Sequence, residues 1–174
     1  MRNSKGFTLT EILIVVLLVG VMTALIAPNI SFGISPLKDS TNRVASIFKL
    51  MRVRAMSQTS ALRIRQTSAT QLIVERARNC ADPTWEREPS FTDEDLNLNE
   101  ASNVKGMAQH DNIQIFSVIV DGTTYTSLTS SNSPCFNSRG LTNRTVRLTL
   151  KNTRTNQTKD IEVFRGGGVK VYDS

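Results

Sequence analysis

The sequence predicts an α+β fold in which a long N-terminal helix, one half membrane-embedded and the other amphipathic, packs on antiparallel β-sheets. Three observations predict it. Residues 7–27 are apolar apart from Glu11 and a few small or hydroxyl residues. Residues 37–60 place apolar side chains at helical spacing. Beyond Ala61, apolar and polar residues alternate in short runs separated by Gly, Asn, Asp and Ser.

The first stretch is Lys5-Gly6-Phe7-Thr8-Leu9-Thr10-Glu11, followed by the apolar block Ile12 to Ala27. As a helix, the 21 residues from Phe7 to Ala27 rise about 31 Å, enough to cross the hydrocarbon core of a bilayer. Arg2 and Lys5 precede the block and Lys38 is the first cation after it, which favours an internal N-terminus and an exported bulk. A cleaved secretory signal is the alternative, with Ser31-Phe32-Gly33 as its best cleavage site, but Glu11 and two threonines interrupt the apolar core such a signal needs. A plain anchor accounts for the length and gives no reason for the carboxylate. An ionised side chain costs roughly 2.5–3.5 kcal/mol at the centre of a membrane helix and less near its end. If the chain is cut between Gly6 and Phe7, a new α-amine arises four residues before Glu11. A neighbouring copy shifted by about one turn could then present its amine to this carboxylate.

Pro28, Gly33 and Pro36 predict a bent or broken helix between the two halves. Leu37, Thr41, Val44, Phe48, Met51 and Ala55 then recur at spacings of four and three, predicting an amphipathic helix to about Ser60 whose stripe packs on the domain's own sheet. Strands are expected around Leu62–Arg65 and Gln71–Arg76. Cys80 to about Lys105 reads as an irregular polar surface loop. Asp93, Asp95, Asn97 and Asn99 alternate there as in a calcium loop, but Leu98 replaces the required glycine and the terminal glutamate is missing. Ile113–Val120 is the clearest strand, closed by an Asp121-Gly122 turn. Residues 129–143 are rich in turns. Thr145–Lys151 and Lys159–Arg165 form a hairpin, and the turn Gly166-Gly167-Gly168 leads to a last strand, Val169–Tyr172. These three glycines lack the pattern of a phosphate loop.

Composition excludes more than it selects. The net charge is +6, yet residues 75–100 hold eight acids against three arginines, so a basic body carries one acidic region. One histidine, His110, and two distant cysteines, Cys80 and Cys135, offer neither a zinc site nor a nucleophile–base pair. We therefore expect no enzyme, no cofactor and no metal. In an oxidising compartment the two cysteines read as a disulfide. Asn29, Asn143 and Asn156 match the glycosylation pattern, which is frequent by chance.

The run Lys-Gly-Phe-Thr-Leu-x-Glu before an apolar block resembles the N-terminus of class III (type IV pilin-like) prepilins. The resemblance implies a cytoplasmic leader, residues 1–6, removed by a prepilin peptidase between Gly6 and Phe7, with N-methylation of Phe7. It makes residues 7–28 a transmembrane and assembly helix, Glu11 the assembly carboxylate and Pro28 the helix kink. Residues 29–61 continue the helix and residues 62–174 form the β domain. The presence of Glu11 implies a place below the extreme tip of a filament. The arginine-rich helix tail, Cys-Phe-Asn-Ser-Arg-Gly at 135–140 and the closing Gly-Gly-Val-Lys-Val-Tyr are similar to the GspH/FimT pseudopilin domain. That similarity implies a minor pilin or pseudopilin of a type II secretion system or type IV pilus. Its partners would be other pilins and inner-membrane lipid, its domain would be periplasmic, and its final place the pilus or pseudopilus. A second reading is a DNA-uptake pilin that contacts double-stranded DNA through Arg165 and Lys170, with Arg139, Arg144, Arg147 and Lys151 nearby. Lys170 alone stands where the DNA-binding FimT pattern carries two arginines.

Overall fold

The computed structural model describes residues 9–26, 35–93, 96–99 and 112–173. The Gly6/Phe7 cleavage site, the Pro28 kink and the break expected before Ser35 lie outside these residues. The chain divides into two compact units, residues 1–34 and 35–174.

The first unit contains helix α1, Leu9–Ile26. Its 18 residues rise about 27 Å, and no helix among the described residues is long and apolar enough to cross a membrane. The predicted span runs from Phe7 to Ala27, and Phe7, Thr8 and Ala27 are outside the described part.

The second unit opens with α2, Pro36–Ser57. The Ser35 hydroxyl accepts from the Lys38 N–H at 3.4 Å, and Pro36 occupies the first turn, where its missing N–H costs nothing. The helix ends three residues before the expected limit, with Thr59 at φ +51° and the Ser60 N–H donating to the Ala55 carbonyl at 3.1 Å. This is a Schellman closure, with a β-branched residue where glycine is usual.

Among the described residues nine strands follow: β1 Ala61–Gln66, β2 Leu72–Ala77, β3 Glu86–Arg87, β4 Ile113–Val120, β5 Thr123–Tyr125, β6 Cys135–Phe136, β7 Val146–Asn152, β8 Thr158–Val163 and β9 Val169–Asp173. They build two sheets, β3-β2-β1-β6 and β5-β4-β7-β8-β9, with every neighbouring pair antiparallel. The turn Asp121-Gly122, at φ +47° and +88°, has the two-residue hairpin geometry that suits twisted strands. The Val146, Leu148 and Leu150 side chains of β7 point inward, as the alternation predicts. The stripe of α2 faces the sheets and reaches both of them. Phe48 on α2 lies 6.5 Å, ring centre to ring centre, from Phe136 on β6, and both are fully buried.

Three features differ from the sequence reading. The acidic region is no mere surface loop, because Phe91, Leu96 and Leu98 insert into the core and Glu88 is buried. Its hydrophobic residues are too irregularly spaced for either periodicity to reveal them. Cys135-Phe136, in the turn-rich segment, forms β6 against β1. In β4 the register shifts between Ile115 and Ser117, and this bulge turns Phe116 out to solvent.

Candidate functional site

Leu, Ile and Val fill α1, which contains no proline and one glycine, Gly20. Every described side chain from Leu9 to Met22 is exposed, so the helix is apolar around its whole circumference. Helices apolar on every face are as a rule buried, in a protein core or a bilayer. Its only ionisable residue, Glu11, lies in the first turn, where a helix's N-terminal dipole favours negative charge.

In the second unit Cys80 is bonded to Cys135, with Cα atoms 5.9 Å apart across a separation of 55 residues. The bond ties the segment after β2 to β6, and the Cys135 N–H also donates to Asn143 Oδ1 at 3.0 Å.

The cations named for DNA contact are only partly gathered. Arg147 and Arg165 line an open cleft of about 530 Å³ with Ile119, Asp121 and Glu162. Arg165 pairs with Asp121 at 3.1 Å and Arg147 with Glu162 at 3.2 Å. The Thr145 N–H, 3.0 Å from Asp121 Oδ1, holds that carboxyl below the usual range, helped by Arg165 and Arg144 and opposed by desolvation. Register places Lys170 beside Glu162 on the far side from Arg147, and both cations stack on Tyr172. Lys151 stacks on Phe116. Arg139 is exposed on the loop after β6, and Arg144 is half-buried. Arg147 and Arg165 are thus neutralised by the chain's own carboxylates, and the arrangement gives double-stranded DNA no support.

Two buried carboxylates escaped the sequence reading. Glu75 is held by Arg63 at 2.6 Å and Arg65 at 3.1 Å, and Arg63 stacks on Trp85. The opposing positions of Arg63 and Glu75 on β1 and β2 were the available signal. Glu88 sits between Arg54 at 3.6 Å and Arg76 at 3.7 Å, from α2 and β2. No sequence spacing announces that pairing. Of the calcium-like alternation Asp95 lies outside the described residues, and the others have different tasks: Asp93 pairs with Arg87, Asn97 accepts the Asn99 N–H, and Asn99 accepts the Ile113 N–H. Among the described residues no His, Cys, Asp or Glu cluster suits a metal ion.

Residues 1–27 match the family model described as the prokaryotic N-terminal methylation motif. No curated protein matches the chain. Among solved structures, the fold is similar to the minor pseudopilin EpsH from the type 2 secretion system of Vibrio cholerae. That match has 11% identity and a TM-score of 0.50, covering 80% of this chain and 98% of that one. The type IV minor pilin FimU of Pseudomonas aeruginosa also matches, with 11% identity, a TM-score of 0.44, and coverage of 78% and 87%. At 11% identity the likeness to EpsH is one of fold.

Proposed function

We propose that this chain is a minor pilin or pseudopilin subunit. A prepilin peptidase cuts it between Gly6 and Phe7, Phe7 is N-methylated, and the mature chain enters a type II secretion pseudopilus or a type IV pilus. One observation carries the reading: a methylation motif over residues 1–27 contains α1, exposed and apolar on its described faces with one carboxylate near its start.

Before assembly, residues 7–28 hold the subunit in the inner membrane as a single pass. The leader is then cytoplasmic and the domain periplasmic, where its disulfide is stable. Inner-membrane lipid covers the apolar side chains until neighbouring pilin helices do. Glu11 makes that exchange selective. Opposite charges 4 Å apart attract by about 4 kcal/mol at an effective dielectric near 20, which exceeds the roughly 2.5–3.5 kcal/mol that a lone charge costs at mid-membrane. A neighbour's Phe7 amine brings such a charge to Glu11 when helices lie side by side, and Pro28 lets the helix bend as it packs. The Glu11→Ala variant tests the role. It should be cleaved and held in the membrane, yet missing from the sheared or cross-linked assembly fraction. Incorporation equal to wild type would refute it.

A further inference from the structure

Ile119, Arg147 and Glu162 stand side by side on β4, β7 and β8. Val146, Leu148, Ile161 and Val163 on either side of that row are buried, so the row faces away from the core. With Arg165, Asp121 and Thr145 it lines the open cleft of about 530 Å³, a volume within the range of small-molecule sites. From this cleft β7 runs to the loop before β8, where Asn156 and Gln157 border Ser35 and Leu37 at the start of α2. The cleft is therefore at the end of the domain remote from the point where the chain enters it.

The cleft is charged in detail and neutral in sum, because Arg147 pairs with Glu162 and Arg165 with Asp121. Both hydrogen bonds to Asp121 end on Oδ1, and Arg147 uses Oε2 of Glu162. Asp121 Oδ2 and Glu162 Oε1 thus have no hydrogen-bond partner among the described residues. Each guanidinium donates to its carboxylate through Nη2 and keeps further N–H groups. The pairs are also held from behind: Arg147 stacks on Tyr172 at 5.8 Å, and the Thr145 N–H fixes Asp121 at 3.0 Å. Spare acceptors and spare donors therefore flank an aliphatic floor at Ile119.

We infer that this cleft binds a neutral, hydroxyl-rich glycan. An anion there meets two carboxylates and a cation meets two guanidiniums, so a net charge gains little from a cleft that has none. A wholly apolar ligand would strip water from two ion pairs and return no hydrogen bond. An extended peptide takes its backbone bonds from a free strand edge, whereas β4, β7 and β8 are each paired on both sides. Sugar hydroxyls donate and accept at once, which suits donors and acceptors held next to each other. The C–H face of a pyranose ring covers Ile119. Because the ion pairs are in place beforehand, binding orders little of the cleft. The inference stands on the domain alone and is independent of how the chain is processed or assembled.

The test uses residues 35–174, which contain the whole described core and the disulfide. The isotope-labelled domain is titrated with chitohexaose, cellohexaose and maltohexaose, with heparin as the polyanion control, and followed by amide chemical shifts. At least one hexasaccharide should move the signals of residues 119–122, 145–147 and 162–165 with a Kd below about 1 mM. That Kd should hold between about 50 and about 300 mM sodium chloride, because no net charge is paired. Asp121→Ala/Glu162→Ala should weaken binding at least about tenfold, with signals outside the cleft unmoved. Arg165→Ala, at a side chain that is 66% exposed and safe for the fold, should weaken it about threefold. No shifts with any of the three sugars, shifts confined to another face, or binding indifferent to both variants would overturn the proposal. Heparin binding more tightly than every hexasaccharide and weakening with salt would overturn the neutral class.

Discussion

Removing the Cys80–Cys135 bond should be the most costly single covalent change in the domain. The cross-link closes a separation of 55 residues, which in the chain-entropy account removes about 4 kcal/mol of freedom from the unfolded chain. A typical domain has a net stability of only about 5–15 kcal/mol, so the loss is a large fraction of the total. Cys135 is buried in a two-residue strand, and Phe136 beside it packs on Phe48. With the bond gone, β6 keeps its two-residue pairing with β1 and the Phe136–Phe48 contact on α2. The assay is urea unfolding of residues 35–174, a unit with its own core, as wild type and as the Cys80→Ser/Cys135→Ser variant. The variant should lose about 3–4 kcal/mol. Its m-value should rise, because an uncrosslinked chain exposes more surface on unfolding. Wild type with added reductant should converge on the variant. A loss under about 1 kcal/mol with an unchanged m-value would refute the claim that this bond constrains the unfolded chain.

Two backbone positions should respond in opposite directions. Thr59→Gly relieves a β-branched residue at φ +51° and should stabilise the domain by roughly 0.5–1 kcal/mol in the same assay. Gly167→Ala places a Cβ 2.0 Å from the Gly140 carbonyl oxygen at φ +77°, and should cost about 2 kcal/mol or more. For Asp121 the folded carboxyl titrates below its unfolded value, held first by the Thr145 N–H and then by Arg165. Its contribution is therefore present above the unfolded value near 3.9 and is lost as pH falls through the lower folded one. Asp121→Asn should flatten the acid limb of stability against pH in that window and leave the slope near neutrality unchanged.

The long apolar run and the α2 stripe were legible because helical spacing is set by one face alone. Leu37, Val44, Phe48, Met51 and Ala55 are all buried as that spacing requires. β7 was legible for the same reason, its two-residue alternation matching its burial, and the Asp-Gly turn marked the β4–β5 hairpin. Long-range pairing was not. Phe136 reads as a loop residue until β1 lies beside it, and Phe91, Leu96 and Leu98 read as polar-loop residues until the core receives them. Charge was legible as a sum and misleading as a map. Arg147 and Arg165 count as free cations in the sequence, and each faces a carboxylate brought by another strand or turn. The close approach at Gly140 and Gly167 brings α2, a loop and a turn together, so no local pattern encodes it.

Mass spectrometry of the N-terminus of the protein recovered from its native membrane tests the central claim most directly. The account predicts a chain that begins at Phe7 with one added methyl group, the six leader residues gone and α1 intact behind it. An intact Met1, or a chain beginning at Ile34 after signal-type cleavage, would contradict it.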